Sequence, residues 1–119
     1  AIPNKEEFME LQQTLMQHNK AKHQTDGRIQ LNERAKRRDE LTLKELKSLP
    51  SSSRTYASVG RMFVLAPKQE VFKSIDARLG RISKELDVLY QQKDFNDKKI
   101  KETEDAVKEM MIMNAVKGQ

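Results

Sequence analysis

A sustained heptad of apolar residues in the C-terminal half constrains this chain more than any other feature. From residue 70 onward, apolar side chains recur at alternating intervals of three and four residues. They are Phe72, Ile75, Leu79, Ile82, Leu86, Leu89, Ile100, Val107 and Met110. This spacing is typical of a coiled-coil seam. A helix with such a stripe is not stable alone, so the sequence predicts a long helix over 67–116 that packs against a second helix.

The N-terminal segment supplies the partner helix, which is predicted over 5–40. Its heptad line mixes apolar and polar residues: Phe8, Leu11, Leu15, His18, Lys22, Thr25, Ile29 and Asn32. The second helix also has polar residues at three middle seam positions, Lys93, Asn96 and Thr103. In an antiparallel pair the apolar ends would meet and the polar middles would face each other. We therefore expect a long antiparallel two-helix coiled coil whose polar seam residues fix the register.

Two short elements are predicted after the first helix. Residues 42–45 (T-L-K-E) have the pattern of a capping box, which predicts a separate short helix over 42–49 that Pro50 ends. Residues 50–54 include three consecutive serines and are predicted to form a linker.

A central β-hairpin is predicted over 55–66. Two β-favouring runs, 55–59 and 62–65, are joined through Gly60 and Arg61, a spacing that suits a tight turn. The second run is apolar at four consecutive positions, so both of its faces favour burial, whereas a lone two-stranded hairpin is marginal in water. We expect strands of other subunits to pair with it. The alternative is a hairpin folded back on its own helices. The predicted fold is mainly α, in a single domain over 1–119.

The charge distribution argues against nucleic-acid binding. The net charge of +5 and the pI near 9.5 invite that interpretation. The basic residues are nevertheless spread evenly over both halves of the chain. The densest cluster, Arg34 and 36–38, is bordered by Glu33, Asp39 and Glu40, as on a solvated helix face. Only 5% of residues are aromatic, which leaves few platforms for bases.

The sequence also predicts neither a membrane anchor nor an enzyme. Lys5, Glu6 and Glu7 fall within the first ten positions, where a signal peptide needs an apolar run, and no apolar stretch is long enough to span a membrane. We expect a cytoplasmic protein. With no cysteine, scattered glycines, and His18 and His23 on different helix faces, the chain has no convergent catalytic, metal or cofactor site.

Methionines concentrate near the two ends of the sequence. Five of the six lie there: Met9, Met16, Met110, Met111 and Met113. In an antiparallel pair of helices these ends meet at one tip. Methionine is flexible and polarizable, so a methionine-rich surface adapts to irregular apolar partners. The tip is therefore a candidate binding surface, with the alternative that these residues only close the coiled coil.

The order of helix, capped turn, hairpin and helix resembles prefoldin, and specifically its β-class subunits, which carry one hairpin. The main match is the stretch Y-A-S-V-G-R-M-F-V-L at 56–65, with V-G-R-M-F at its centre. Supporting matches are E-L-Q at 10–12 and V-K-E-M at 107–110. The resemblance implies a heterohexamer of two α-class and four β-class subunits whose hairpins assemble into β-barrels.

The resemblance also implies a function and site residues. Such complexes are ATP-independent co-chaperones that capture unfolded or nascent proteins, such as actin and tubulin, at coiled-coil tips and deliver them to the cytosolic group II chaperonin. The implied oligomerisation residues are Tyr56, Val59, Gly60, Met62, Phe63, Val64 and Leu65. The implied client-binding residues are Phe8, Met9, Leu11, Leu15, Val107, Met110, Met111 and Ile112. The alternative is a structural or tethering coiled coil without client binding.

Overall fold

Along the chain, a β-hairpin lies between two long helices. The computed structural model describes residues 5–117, with side-chain burial for 5–116. The elements are α1 (Lys5–Ser48), β1 (Thr55–Val59), β2 (Met62–Ala66) and α2 (Lys68–Lys117). The predicted fold class is confirmed. The predicted domain also includes positions 1–4, 118 and 119, which lie outside the described residues. The described residues form two compact units, which we call the hairpin unit (30–88) and the terminal unit (5–29 with 89–117).

The first helix is longer than the sequence predicted. It runs without a break to Ser48, so the prediction of a separate short helix over 42–49 is wrong. The hydroxyl of Thr42 donates a hydrogen bond to the Arg38 carbonyl at 2.8 Å, one turn back within the same helix, and so caps no new N-terminus. The helix continues because Leu43 and Leu46 extend the heptad line of Asn32 and Asp39, and Leu46 is buried.

The seam of the hairpin unit follows the predicted stripe on α2. Ile75, Ile82 and Leu86 are buried there, as is Leu46 on α1. Two contacts place the helices antiparallel. Arg78 of α2 binds Asp39 of α1, and Lys68, at the start of α2, donates a hydrogen bond to the Leu49 carbonyl at 2.9 Å. Residue numbers therefore rise along one helix as they fall along the other.

The terminal unit has a seam that is partly polar. Its buried residues are Thr25, Ile29, Leu89, Asn96, Ile100 and Thr103. Burial of Asn96 and Thr103 confirms two of the three predicted polar seam positions on α2. The third prediction is wrong, because Lys93 is exposed. A cation at that position keeps its hydration by leaving the seam, whereas a threonine hydroxyl is satisfied by its own helix: Thr103 donates to the Lys99 carbonyl at 2.7 Å.

Prolines mark both boundaries of the hairpin. Pro50 follows the last residues of α1, where the Leu49 amide still donates to the Leu46 carbonyl at 3.3 Å. Pro67 immediately precedes α2, and its carbonyl accepts hydrogen bonds from the amides of Glu70 and Val71 at 3.0 and 3.2 Å. Pro67 therefore stands at the N-cap of α2, one residue from the predicted start.

The hairpin has the predicted two-residue turn. Antiparallel pairing joins Thr55 to Ala66 at one end and Val59 to Met62 at the other, which leaves only Gly60 and Arg61 in the loop. Gly60 has a φ of +63°, as two-residue turns of the primed types require at their first central position. The Thr55 hydroxyl also donates to the Ala66 carbonyl at 2.6 Å, which reinforces the open end.

Candidate assembly and client-binding surfaces

The hairpin presents two faces, which follow from the strand register. Because Ser58 pairs with Phe63 and Tyr56 with Leu65, these four side chains share one face, here called the outer face. The other face carries Thr55, Ala57, Val59, Met62, Val64 and Ala66. The predicted oligomerisation residues are thus divided between both faces.

Only the second face is covered within this unit, and only in part. Thr55 is buried, and Ala57 and Ala66 are half-buried. A recess of about 410 Å³ separates this part of the hairpin from the α2 side chains Val71 and Ile75. The hairpin therefore approaches the start of α2 only at the strand ends away from the turn, and across this recess.

The second strand remains exposed on both faces. The exposed fractions are 66% for Met62, 76% for Phe63, 47% for Val64 and 61% for Leu65. Tyr56, on the outer face beside Leu65, is 54% exposed. The sequence indicated that this strand favours burial on both faces, and no described residue of the hairpin unit covers it. An apolar surface of this kind is typical of an interaction site.

The predicted client-binding residues all lie in the terminal unit, where they fall into two groups. Five are half-buried and follow the heptad line: Phe8, Leu11, Leu15, Val107 and Met110. Three are exposed by more than half of their surface: Met9, Met111 and Ile112. The first group contributes to the seam, and only the second is freely available to a partner.

Other exposed apolar residues extend the second group. Met16 is 73% exposed and lies seven residues after Met9, on the same face of α1. Met113 and Val116 are also exposed, three residues apart on α2. The client-binding residues implied by the prefoldin resemblance did not include these three, although the sequence already placed Met16 and Met113 in the methionine-rich tip.

The sequence did not identify the ion pair in the hairpin unit. Asp39 was interpreted as a solvated residue beside a basic cluster, yet it is buried and binds Arg78. Its hydrogen bonds from Arg78 lower the pKa of the Asp39 carboxyl, against the opposing effect of burial. The same contact raises the pKa of Arg78. This pair is a link between helices rather than part of either candidate surface.

The terminal unit has a looser ion pair. Lys22 Nζ lies 3.4 Å from Asp97 Oδ1, and each side chain is about two-fifths exposed. The geometry does not satisfy a hydrogen bond to that oxygen. Lys22 belongs to the predicted seam of α1, whereas Asp97 is not among the polar seam positions predicted on α2.

The described residues contain neither a metal-binding cluster nor a membrane-spanning helix. Over 5–117, no group of three or more histidine, cysteine, aspartate or glutamate residues is arranged to hold a metal ion. Within the same range, neither α1 nor α2 contains a stretch apolar and long enough to cross a bilayer.

Comparison with protein families identifies the family to which this architecture belongs. The model of the family described as "Prefoldin subunit" matches residues 9–113. The chain belongs to the prefoldin subunit family. Members of this family are chaperone subunits, and the prefoldin resemblance of the hairpin and helices is thereby confirmed.

The 56–65 stretch is similar to the hairpin of eukaryotic prefoldin subunit 1, and individual members of the family support this more specific likeness. The chain is 30% identical to prefoldin subunit 1 of Tetraodon nigroviridis over 108 residues, covering 91% of this chain and 88% of that protein. It is 30% identical to prefoldin subunit 1 of Arabidopsis thaliana over 104 residues, covering 87% and 81%. Prefoldin subunit 1 of Homo sapiens is 28% identical over 108 residues.

A solved prefoldin structure shares the fold. The prefoldin beta subunit from Thermococcus strain KS-1 superposes with a TM-score of 0.69 at 20% identity, covering 92% of this chain and 94% of that one. The prediction of a β-class architecture, two helices with a single hairpin, is confirmed.

Proposed function

We propose that this chain is a subunit of an ATP-independent co-chaperone, a heterohexamer of two α-class and four β-class prefoldin subunits in the cytoplasm. The observation that carries the proposal is the exposure of all four apolar residues at 62–65 on a hairpin with two faces. A soluble chain that leaves such a strand uncovered needs other subunits to bury it. Family membership supports a prefoldin complex as the assembly that does so.

The geometry of the hairpin suits assembly by strand addition. The sheet contains two strands, so the outer edges of β1 and β2 both have backbone groups available for a neighbouring strand. Tyr56, Phe63 and Leu65 on the outer face would then form the apolar interior of a β-barrel with their counterparts from other subunits. Gly60 keeps the turn short enough for the strands to stay in register.

The terminal unit is the proposed client-binding part. Met9, Met111 and Ile112, extended by Met16 and Met113, are exposed and adaptable, which suits apolar segments of non-native proteins. Each such contact is weak, and several subunits acting together supply avidity. We propose that actin and tubulin are among the clients and that they pass to the group II chaperonin. Capture by apolar burial needs neither nucleotide nor metal, so we expect no enzymatic activity.

A tethering coiled coil without client binding is the second candidate. The half-burial of Phe8, Leu11 and Leu15 on α1, and of Val107 and Met110 on α2, favours it, because those residues serve the seam. Five of the eight predicted client residues are thus explained by helix packing alone. The two candidates differ in what the exposed apolar residues do.

The proposal is tested by placing a charge on the outer face of the hairpin. Phe63→Asp buries a carboxylate if that face lies inside a barrel, so the variant should not enter the hexamer when it is co-expressed with the other subunits of its own cells. Gln69→Asp, at an exposed position of the same unit, is the matched control and should assemble normally. Native mass spectrometry reads the number of chains. A six-chain complex containing Phe63→Asp would contradict the proposed barrel.

The same preparation tests the chaperone role. The wild-type complex should suppress aggregation of actin diluted from denaturant without added ATP, as measured by light scattering. A complex that assembles but gives no protection would support the tethering candidate instead.

A further inference from the structure

A second stripe of residues runs along α1 on the side away from its seam. Leu31, Arg34, Arg38, Leu41 and Glu45 recur at alternating intervals of three and four residues, and all five are exposed. We call this set the outer stripe. Its spacing is the one by which a second helix packs along a first. In the hairpin unit, the seam of the same helix is formed by Asp39, Leu46 and their neighbours, so the outer stripe plays no part in pairing with α2.

The two leucines of the outer stripe are unusually exposed for residues inside a helix. Leu31 is 66% exposed and Leu41 is 53% exposed. They are ten residues apart, so about 15 Å separates them along the helix axis. Single exposed leucines need no explanation, but two in one heptad line with arginines between them form a patterned surface.

A groove lies along this surface. It is shallow and open to solvent, and all of its lining residues belong to α1: Arg34, Arg37, Arg38, Leu41, Thr42 and Glu45. Its walls are mainly apolar, because leucine and the aliphatic stems of the arginines supply most of the lining. Such a groove accepts an apolar side chain while offering hydrogen-bond donors to a carboxylate next to it.

The arginines of the groove are not fully neutralised by ion pairs. Within the described part of the chain, neither Arg34 nor Arg37 forms an ion pair. Arg38 Nε lies 3.9 Å from Asp39 Oδ1, but that carboxylate is already bound at 2.6 and 2.7 Å by Arg78. Three arginines and one carboxylate, that of Glu45, line the groove, so its net charge is positive.

We propose that the outer stripe docks an acidic amphipathic helix of a partner protein. The partner helix would present two apolar residues about ten positions apart to Leu31 and Leu41, with carboxylates between them facing Arg34 and Arg38. This surface shares no residue with the hairpin or with the exposed methionines. Charge complementarity requires the partner helix to be acidic, and the two leucines determine the spacing of its apolar residues.

The pattern fits a helix better than a nucleic acid. Phosphate backbones are bound by basic residues in series, whereas Glu40 and Glu45 interrupt this surface and the leucines contact no phosphate. The described aromatic residues nearest in sequence are Tyr56 and Phe63, neither of which lines the groove. A phosphate backbone, which carries charge at regular intervals, would meet Glu45 and the two leucines along the stripe, whereas the carboxylates of a partner helix need face only Arg34 and Arg38.

A synthetic peptide provides the direct test. The probe is a fluorescent helical peptide with two leucines ten residues apart and glutamates at the intervening heptad positions, titrated by anisotropy into the full chain assembled with its partner subunits. Arg34→Glu with Arg38→Glu should weaken binding roughly tenfold or more, because two attractive contacts become repulsive. Leu41→Ser should weaken it roughly fivefold. Arg81→Glu with Lys84→Glu, which makes the same charge change at exposed positions of α2, should leave affinity unchanged.

The alternatives give different results. Equal binding of a peptide with glutamine in place of glutamate, or equal loss in the α2 control, would overturn the proposal. Tighter, salt-sensitive binding of duplex RNA or DNA that depends on Arg34 and Arg38 would make the surface a nucleic-acid site. A photo-crosslinking residue at position 41 supports the proposal only if it captures an acidic helical segment. Its capture of a second copy of this chain would overturn the proposal.

Discussion

Arg78 binds both carboxylate oxygens of Asp39. Arg78 Nε lies 2.6 Å from Oδ2 and Nη2 lies 2.7 Å from Oδ1. The Asp39 side chain is 1% exposed, whereas 44% of the Arg78 side chain remains in contact with solvent. A two-point contact of this kind fixes both the register and the rotation of α1 against α2. A slip by one residue would leave a buried carboxylate without its partner, which is costly.

Removing the arginine should therefore destabilise the hairpin unit. We expect Arg78→Met to lower the free energy of unfolding by about 2–3 kcal/mol, somewhat below the cost of breaking a fully buried pair because Arg78 is half exposed. Urea titration followed by circular dichroism measures the change. Arg81→Met at an exposed position is the control and should cost less than about 0.5 kcal/mol. The double variant Asp39→Leu with Arg78→Met should recover much of the loss, and failure to do so would show that the carboxylate itself is not the source.

The same pair predicts an acid-sensitive contribution to stability. The Arg78 hydrogen bonds lower the pKa of Asp39 below its ordinary value of 3.8. A carboxyl group whose folded-state pKa is depressed contributes stability that is fully present above its unfolded-state pKa. That contribution is lost as the pH falls through the folded-state pKa. Between about pH 5 and pH 2, the free energy of unfolding should thus fall more steeply for the wild type than for Asp39→Asn. Parallel curves would show that Asp39 has no depressed pKa in the folded chain.

The long elements could be predicted because their signals are periodic. The heptad on α2 identified Ile75, Ile82 and Leu86 as seam residues, and all three are buried. The turn at Gly60 followed from residue type and spacing, and the structure places it in that turn. These features depend on local geometry, which residue type and spacing determine.

The errors arose where tertiary contacts overrule a local pattern. The T-L-K-E motif has the composition of a helix start, but the seam residues Leu43 and Leu46 keep α1 continuous through it. Asp39 looks like a surface residue next to arginines, and its burial depends on Arg78, which is 39 residues away in the chain. Lys93 occupies a seam position by spacing alone, and its hydration keeps it exposed. A rule that uses only neighbouring residues in the sequence cannot distinguish these positions from those that were predicted correctly.

Two glycines allow opposite predictions about stability. A Cβ at either Gly60 or Gly80 would meet no atom within 4 Å, so only the backbone decides the effect. Gly60 has a positive φ, and Gly60→Val should destabilise the hairpin by about 1–2 kcal/mol and reduce hexamer assembly. Gly80 lies inside α2, where Gly80→Ala should stabilise the chain by about 0.5–1 kcal/mol.

Gly60→Asn is the control for the turn, because asparagine tolerates the left-handed conformation better than other residues do. It should retain assembly in native mass spectrometry. Equal loss in Gly60→Asn and Gly60→Val would indicate that the turn requires the absence of a side chain rather than a positive φ.

The exposed and half-buried residues of the terminal unit should separate client binding from stability. Met111→Ser with Ile112→Ser changes side chains that are 58% and 59% exposed, so the free energy of unfolding should move by less than about 0.5 kcal/mol. The apparent affinity of the assembled complex for unfolded actin should nevertheless fall about fivefold, because apolar contacts repeated over several subunits are lost. Light scattering of actin diluted from denaturant, at varied complex concentration, measures the affinity.

The matched variant replaces half-buried seam residues. Leu11→Ser with Met110→Ser should lower the stability of the terminal unit by about 1–3 kcal/mol, since apolar area is lost from the helix seam. At temperatures where that variant remains folded, protection of actin should exceed that of the Met111 and Ile112 variant. The reverse order would place client binding in the seam residues, where it would require the helices to separate. Unchanged protection in both variants would favour the tethering role, because neither apolar group would then contact a client.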